Sequence, residues 1–199
     1  MVAVNPGCPV DRRARTWWLA AAVWLLAWHG GAAHAAEIDA AASRAGFTLY
    51  TRWGQPLQGR FPSLTGQVDD LGDGRHRVRL VLLTGDVEIV GHPGYTRFAR
   101  GSGFFDAKQW SQVEILSDPY DARLLREGGE LGGILRIRGV QRRERFRIEP
   151  AACDTPARAC DVIAHGSIDR EDYGMDRWRI AVRDDVRFQL RLRLRGATP

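Results

Sequence analysis

The stretch Phe188-Gln189-Leu190-Arg191-Leu192-Arg193-Leu194-Arg195 alternates apolar and mostly cationic side chains without a break. Neighbouring side chains on a strand point to opposite faces, so the segment reads as a strand with one dry face and one charged face. Arg77-Val78-Arg79-Leu80, Leu135-Arg136-Ile137-Arg138 and Arg145-Phe146-Arg147-Ile148 repeat the pattern. With few helical stretches to cover them, such strands bury their apolar side against one another, in a sandwich or a closed barrel.

The same alternation predicts strands at Phe47–Thr51 and at Leu57–Phe61, the latter continuing through Gly66–Val68 after a break at Pro62. Arg75–Leu83 follows, extended through Val87–Ile89 past a bulge at Gly85. Later strands are expected at Gln112–Leu116, Leu131–Arg138, Arg143–Glu149, Asp161–Ile168 and Val186–Arg195. Alternation stops from Gly91 to Gly103, where His92-Pro93-Gly94 breaks the chain and Tyr95–Arg100 suits a short helix. The expectation is an all-β domain of about eight antiparallel strands with one helical excursion. A membrane-spanning barrel is disfavoured, because arginine facing lipid costs about 2–4 kcal/mol at mid-bilayer and most strands carry one. The inverse arrangement fails because Phe47–Thr51 and Gln112–Leu116 are too short and polar for a lipid-facing band.

The amino terminus has a different pattern. Arg12, Arg13 and Arg15 precede an apolar run from Trp17 to Trp28, and Ala33-His34-Ala35 offers a small-residue cleavage site. Residues 1–35 are therefore read as a secretory signal peptide and 36–199 as one soluble, exported domain. The chain of 199 residues has 29 basic and 24 acidic side chains. Without residues 1–35 it has 26 against 23, a net charge of +3. That balance gives no case for nucleic acid, and it is compatible with transient contact with an anionic membrane surface.

Cys153 and Cys160 remain after the signal peptide is removed. In an exported chain the pair reads as a disulfide across a hairpin tip, stabilising by roughly 2–3 kcal/mol in the chain-entropy model. His76, His92 and His165 lack metal-ligand spacing, and no metal or cofactor is expected. Neither a nucleophile elbow nor a phosphate loop is present. Asp169, Glu171 and Asp172 surround Arg170 and precede Gly174, which reads as a charged turn with Tyr173 and Met175 plugging apolar space beneath it.

The apolar phase of the strands selects Phe47 and Leu49, Phe61, Leu80 and Leu82, Ile115, Leu135 and Ile137, Phe146 and Ile148, then Phe188, Leu190 and Leu192. Phe104 and Phe105 would lie near a mouth. An eight-stranded barrel is wide enough either to be filled by such side chains or to enclose one ligand, and periodicity alone leaves both open.

Three blocks in order resemble the YceI-like family of exported bacterial polyisoprenoid-binding proteins. They are Gly59-Arg60-Phe61 with Gly66-Gln67-Val68, then Phe104-Phe105-Asp106-Ala107, then Gly133–Val140 with Ile168-Asp169-Arg170-Glu171-Asp172-Tyr173-Gly174-Met175. The resemblance implies an extended lipocalin-like, eight-stranded antiparallel barrel without catalysis, so no enzyme is expected. It further implies a periplasmic carrier whose lumen, walled by the fifteen residues above, holds a long-chain polyisoprenoid or isoprenoid quinone. The alternative is a filled barrel that docks on an anionic partner or membrane surface, and pairing of two copies through the 95–105 excursion is left open. The chain departs from the family pattern at Tyr95-Thr96 and Ala99, where an Arg-Asp pair and a leucine are usual. It departs again at Tyr50-Thr51-Arg52-Trp53, which lacks a common histidine.

Overall fold

A computed structural model describes residues 35–196; the expected signal peptide, Ala35 apart, lies outside the described residues. In chain order the elements are β1 (Ala35–Glu37), β2 (Arg44–Thr51), β3 (Pro56–Phe61), β4 (Leu64–Asp70), β5 (Arg75–Leu83) and β6 (Glu88–Ile89). Helix α1 (Pro93–Arg100), β7 (Gln112–Ser117), β8 (Tyr120–Asp121) and helix α2 (Arg123–Glu127) follow. The chain continues with β9 (Gly129–Ile137), β10 (Val140–Ile148), β11 (Val162–Asp169) and β12 (Val182–Leu192).

Twelve segments make eight staves, because four staves are broken. β3 pairs with β2 while β4 pairs with β1 and β5, and only Pro62 and Ser63 separate them. The missing proline donor and fixed φ bend this stave at that point. β5 and β6 lie along β4 and β3 in turn, and β7 with β8 both lie along β5. β9, β10, β11 and β12 follow as unbroken antiparallel neighbours, and β12 pairs with β2. The ring closes at its lower end through the Ile38–Leu194 bridge, where Asp39 N–H donates to Arg193 O (2.8 Å) and Arg195 N–H to Glu37 O (2.7 Å). Closure removes the free edge at the base, while at the mouth the terminal strand β6 is covered by helix α1.

The fold class expected from alternation therefore stands, with differences of detail. A second helix, α2, has no signature in the alternation: it has five residues and no side-chain cap. β1 and β8 are too short to carry a readable alternation. In place of a bulge at Gly85 there is a 3-10 turn, Thr84–Asp86, whose buried Thr84 hydroxyl donates to Trp110 O (2.6 Å).

The two faces divide as the pattern predicts. Inward positions form one apolar cluster, with Leu82, Val87, Val113 and Ile137 fully buried. Outward arginines meet carboxylates on neighbouring staves, as in Arg60–Glu88 (2.6 Å), Arg136–Glu114 (3.8 Å) and Arg145–Glu130 (3.8 Å). Exposed pairs of this kind contribute about 0–1 kcal/mol each, so the charged wall chiefly solvates the barrel.

The ends of the barrel differ. At the base, the 149–161 connection is stapled by Cys153–Cys160 with Cα atoms 6.0 Å apart, and Leu194 N–H donates to Ala157 O (2.8 Å). At the opposite end, the 52–55 turn, helix α1 and the 170–181 segment surround a mouth.

Candidate functional site

Along β2 the inward side chains run Ala45, Phe47, Leu49, Thr51 from base to mouth. Phe47 belongs to a cluster with Phe61, Phe104, Phe105 and Phe188, whose rings lie 4.9–6.4 Å apart from centroid to centroid. Tilted and edge-on contacts predominate, the arrangement aromatic quadrupoles favour. This cluster fills the waist of the barrel and separates two apolar chambers.

The mouth chamber holds about 330 Å³ and is lined by Leu49, Thr51, Trp53, Leu57, Ile89, Tyr95, Phe98, Ala99, Phe104, Trp178, Ala181 and Val182, with Arg170 and Arg177. The base chamber, about 70 Å³, lies among Leu80, Ile115, Phe146, Ile148, Leu190 and Leu192, with Tyr120 and the disulfide-loop residue Ala157 at its end. A larger hollow of about 650 Å³ lies on the outer wall among Arg44, Thr48, Gln58 and Arg60. Its lining mixes these polar groups with Phe47 and Phe61, whereas the mouth chamber is walled almost wholly by apolar side chains and suits an apolar ligand better.

The fifteen residues chosen from the apolar phase all join the core cluster, fourteen of them buried and Leu192 partly so. They do not wall one tube. Leu49 and Phe104 reach the mouth chamber, six line the base chamber, and Phe47, Phe61, Phe105 and Phe188 occupy the waist. Leu82, Leu135 and Ile137 are sealed in packing on the β7–β9 side.

Most of the mouth chamber was not found by alternation, because its walls come from a helix and two connections. Helix α1 begins with Pro93 in its first turn, where the missing N–H costs nothing. It is tied to the barrel by Thr96, whose hydroxyl accepts from Ile89 N–H (2.9 Å), and by Arg100, whose Nε donates to Val87 O (2.9 Å). Ala99 is thereby turned inward and Tyr95 and Phe98 toward the rim. Thr51, Trp53, Tyr95 and Ala99 all line the chamber, so the departures noted in sequence converge on it.

Two arginines hold the chamber in shape. Arg138 has φ +52° in the two-residue Arg138-Gly139 hairpin between β9 and β10, and both residues take the left-handed conformation such turns require. From there it donates to the carbonyls of Ser102 (2.8 Å) and Phe104 (2.5 Å), fixing the loop that carries Phe104 and Phe105 into the waist. Arg170 is completely buried. It donates to the carbonyl oxygens of Met175, Arg177 (2.7 Å) and Arg183 (3.2 Å) and pairs with Asp184 (2.7 Å). Each nitrogen of its guanidinium is engaged and its charge is met by Asp184, so it braces the 170–184 segment. Tyr173 and Met175 are buried beneath the turn as expected, and Gly174 takes φ +69° where the 3-10 turn Glu171–Tyr173 ends. The Tyr173 hydroxyl donates to Glu144 (2.7 Å). Burial, then that hydrogen bond, raises its pKa far above the ordinary phenol value.

Among the described residues, no group of three or more His, Cys, Asp or Glu side chains converges as metal ligands would. The mouth chamber can hold apolar matter by burial, and its lining carries no carboxylate, histidine or cysteine.

Comparison with known proteins agrees with this architecture. The structure is similar to that of Burkholderia cenocepacia BcnA, with a TM-score of 0.62 at 20% identity over 78% of this chain and 98% of that one. It is also similar to a polyisoprenoid-binding domain from Saccharophagus degradans implicated in plant cell wall breakdown. There the TM-score is 0.60 at 18% identity over 80% of this chain and 97% of that one. At these identities the likeness concerns the fold. No curated protein matches the sequence. The family model for the YceI-like domain matches residues 37–194, which is nearly all of the barrel, and the chain belongs to the YceI-like family.

Proposed function

We propose that the protein is an exported, periplasmic carrier that takes the apolar chain of an isoprenoid lipid, a polyisoprenoid or an isoprenoid quinone, into the mouth chamber. The observation that carries the reading is the chamber itself: about 330 Å³, walled almost wholly by apolar side chains and bordered by an exposed aromatic rim. Family membership and the polyisoprenoid-binding domain among its structural neighbours support the chemistry. Burial of apolar area, at about 25 cal/mol per Å², supplies the affinity, and no catalytic step is required.

The chamber lies at the small end of the ~300–1,000 Å³ typical of ligand pockets, so it accommodates one part of a long chain rather than all of it. To reach the base chamber the chain must displace waist phenylalanines, Phe104 and Phe105 first, since these stand on a connection rather than a stave. The test is mass spectrometry of solvent extracts from the purified protein. One apolar lipid per chain is expected, and a protein that carries none and takes up no added prenol or quinone refutes the carrier role.

A further inference from the structure

Of the eight large apolar side chains exposed among the described residues, six stand at the mouth: Trp53, Val90, Tyr95, Phe98, Trp178 and Ile180. Ile180 is 89% exposed and Trp53 79%. They come from separate connections, the 52–55 turn, the β6–α1 region and the 176–181 segment, so no local packing accident accounts for their meeting. Phe98 and Trp178 touch across the opening with ring centroids 4.9 Å apart.

The charges around them have one sign in excess. Arg52, Arg97, Arg177 and Arg179 are exposed on the same elements, and Arg183 is exposed at the adjoining start of β12. Among carboxylates, Asp184 is engaged by Arg52 and Arg170, Glu171 by Arg179, and Asp172 by Arg142. Arg97, Arg177 and Arg183 have no carboxylate partner among the described residues; the unpaired acids near them are Asp176 and Asp106, and Asp106 shares its hollow with Arg100 and Lys108 as well as Arg97, so the excess stays positive. The three cations surround a crown rich in tryptophan and tyrosine. These rings favour the headgroup level of a bilayer, while arginine stems lie along apolar matter with their charge in the headgroups.

We infer that the mouth rim is a membrane-docking surface, on which Trp53, Phe98, Trp178 and Ile180 enter the interface of an anionic bilayer while Arg97, Arg177 and Arg183 meet its phosphates. The barrel wall is not that surface, because its arginines are largely occupied by neighbouring carboxylates. Docking mouth-down would let an apolar chain pass from bilayer to chamber without crossing water. In that respect the inference rests on the carrier reading, but vesicle binding is read without any ligand.

The test uses the purified protein with vesicles of phosphatidylglycerol and phosphatidylethanolamine, followed by co-sedimentation and tryptophan emission. Trp53 and Trp178 are two of the three tryptophans outside residues 1–35. The emission should therefore shift to the blue and be quenched by brominated acyl chains. Ile180→Asp with Arg97→Glu, neither of which lines the chamber, should lower partitioning at least tenfold with unchanged circular dichroism and bound lipid. Arg191→Glu on the barrel wall should change it less than twofold. Absence of binding to the anionic vesicles overturns the inference, as does equal loss from Arg191→Glu. So does a rim that instead pairs two copies, seen as concentration-dependent mass abolished by Ile180→Asp. Lipid retained without vesicle binding removes docking and leaves the carrier; vesicle binding without lipid uptake does the reverse.

Discussion

The ring of Phe47 stands where a Cβ on Gly59 would have to go: its outer atoms lie 2.1–2.4 Å from that position. The two residues face each other across β2 and β3, so the glycine in Gly59-Arg60-Phe61 gives the waist room for an aromatic ring. Phe146 covers Gly166 across β10 and β11 in the same way. Gly59→Ala should destabilise the protein by about 1–3 kcal/mol through overpacking. Adding Phe47→Leu should recover part of the loss, measured by urea unfolding of the two variants.

Arg170 and Asp184 make the brace of the mouth testable. Asp184→Asn leaves a fully buried guanidinium without its counter-charge. Asp184 is itself partly exposed, so the loss should be about 2–3 kcal/mol, below the ~3–5 of a fully buried pair. Arg52→Ala removes the exposed partner at 3.4 Å and a hydrogen bond from Nε to the Arg179 carbonyl (2.7 Å), and should cost about 1 kcal/mol. Thermal unfolding of both variants distinguishes the roles.

The barrel was legible because its information is periodic. Every long stave declared its dry face through residues such as Leu80, Ile137 and Leu190, each buried as expected. What alternation could not show is which dry positions border empty space. Leu135 and Leu190 look alike in sequence, yet one is locked in packing and the other borders a chamber. The mouth escaped for a related reason. Ala99, Trp178 and Ala181 stand on a helix and a connection with no period of two, and tertiary contacts alone bring them together. In sequence Arg170 reads only as part of a charged turn, because three of its four acceptor residues contribute backbone carbonyls, which leave no trace in side-chain chemistry.

The faces of β12 should respond in opposite ways. Leu190→Arg places a charge in the base chamber and should prevent folding or cost more than about 3 kcal/mol. Arg191→Ala, one residue on and exposed, should change stability by less than about 0.5 kcal/mol. Soluble yield and chemical denaturation check both.

Alkaline pH should unfold the barrel in a defined window. Burial pushes the Tyr120 phenol from 10.0 up to about 12, and Tyr173 is raised as well. Below pH ~10 both folded and unfolded states keep their phenol protons, and the stability is fully present. Above it the unfolded chain releases protons that the folded one retains, so stability falls as pH rises toward 12, by roughly 1.4 kcal/mol per unit for Tyr120 alone. Urea midpoints between pH 8 and 12 should decline accordingly, and Tyr120→Phe should flatten part of the slope.

The most direct measurement is the native mass of the protein compared with that of Ala99→Phe, a substitution that fills the mouth chamber from its helical wall. The account predicts one apolar adduct per chain, lost in Ala99→Phe while circular dichroism keeps the same β signature. An adduct retained at full occupancy with the chamber filled, or no adduct even after incubation with prenol or quinone, would contradict it.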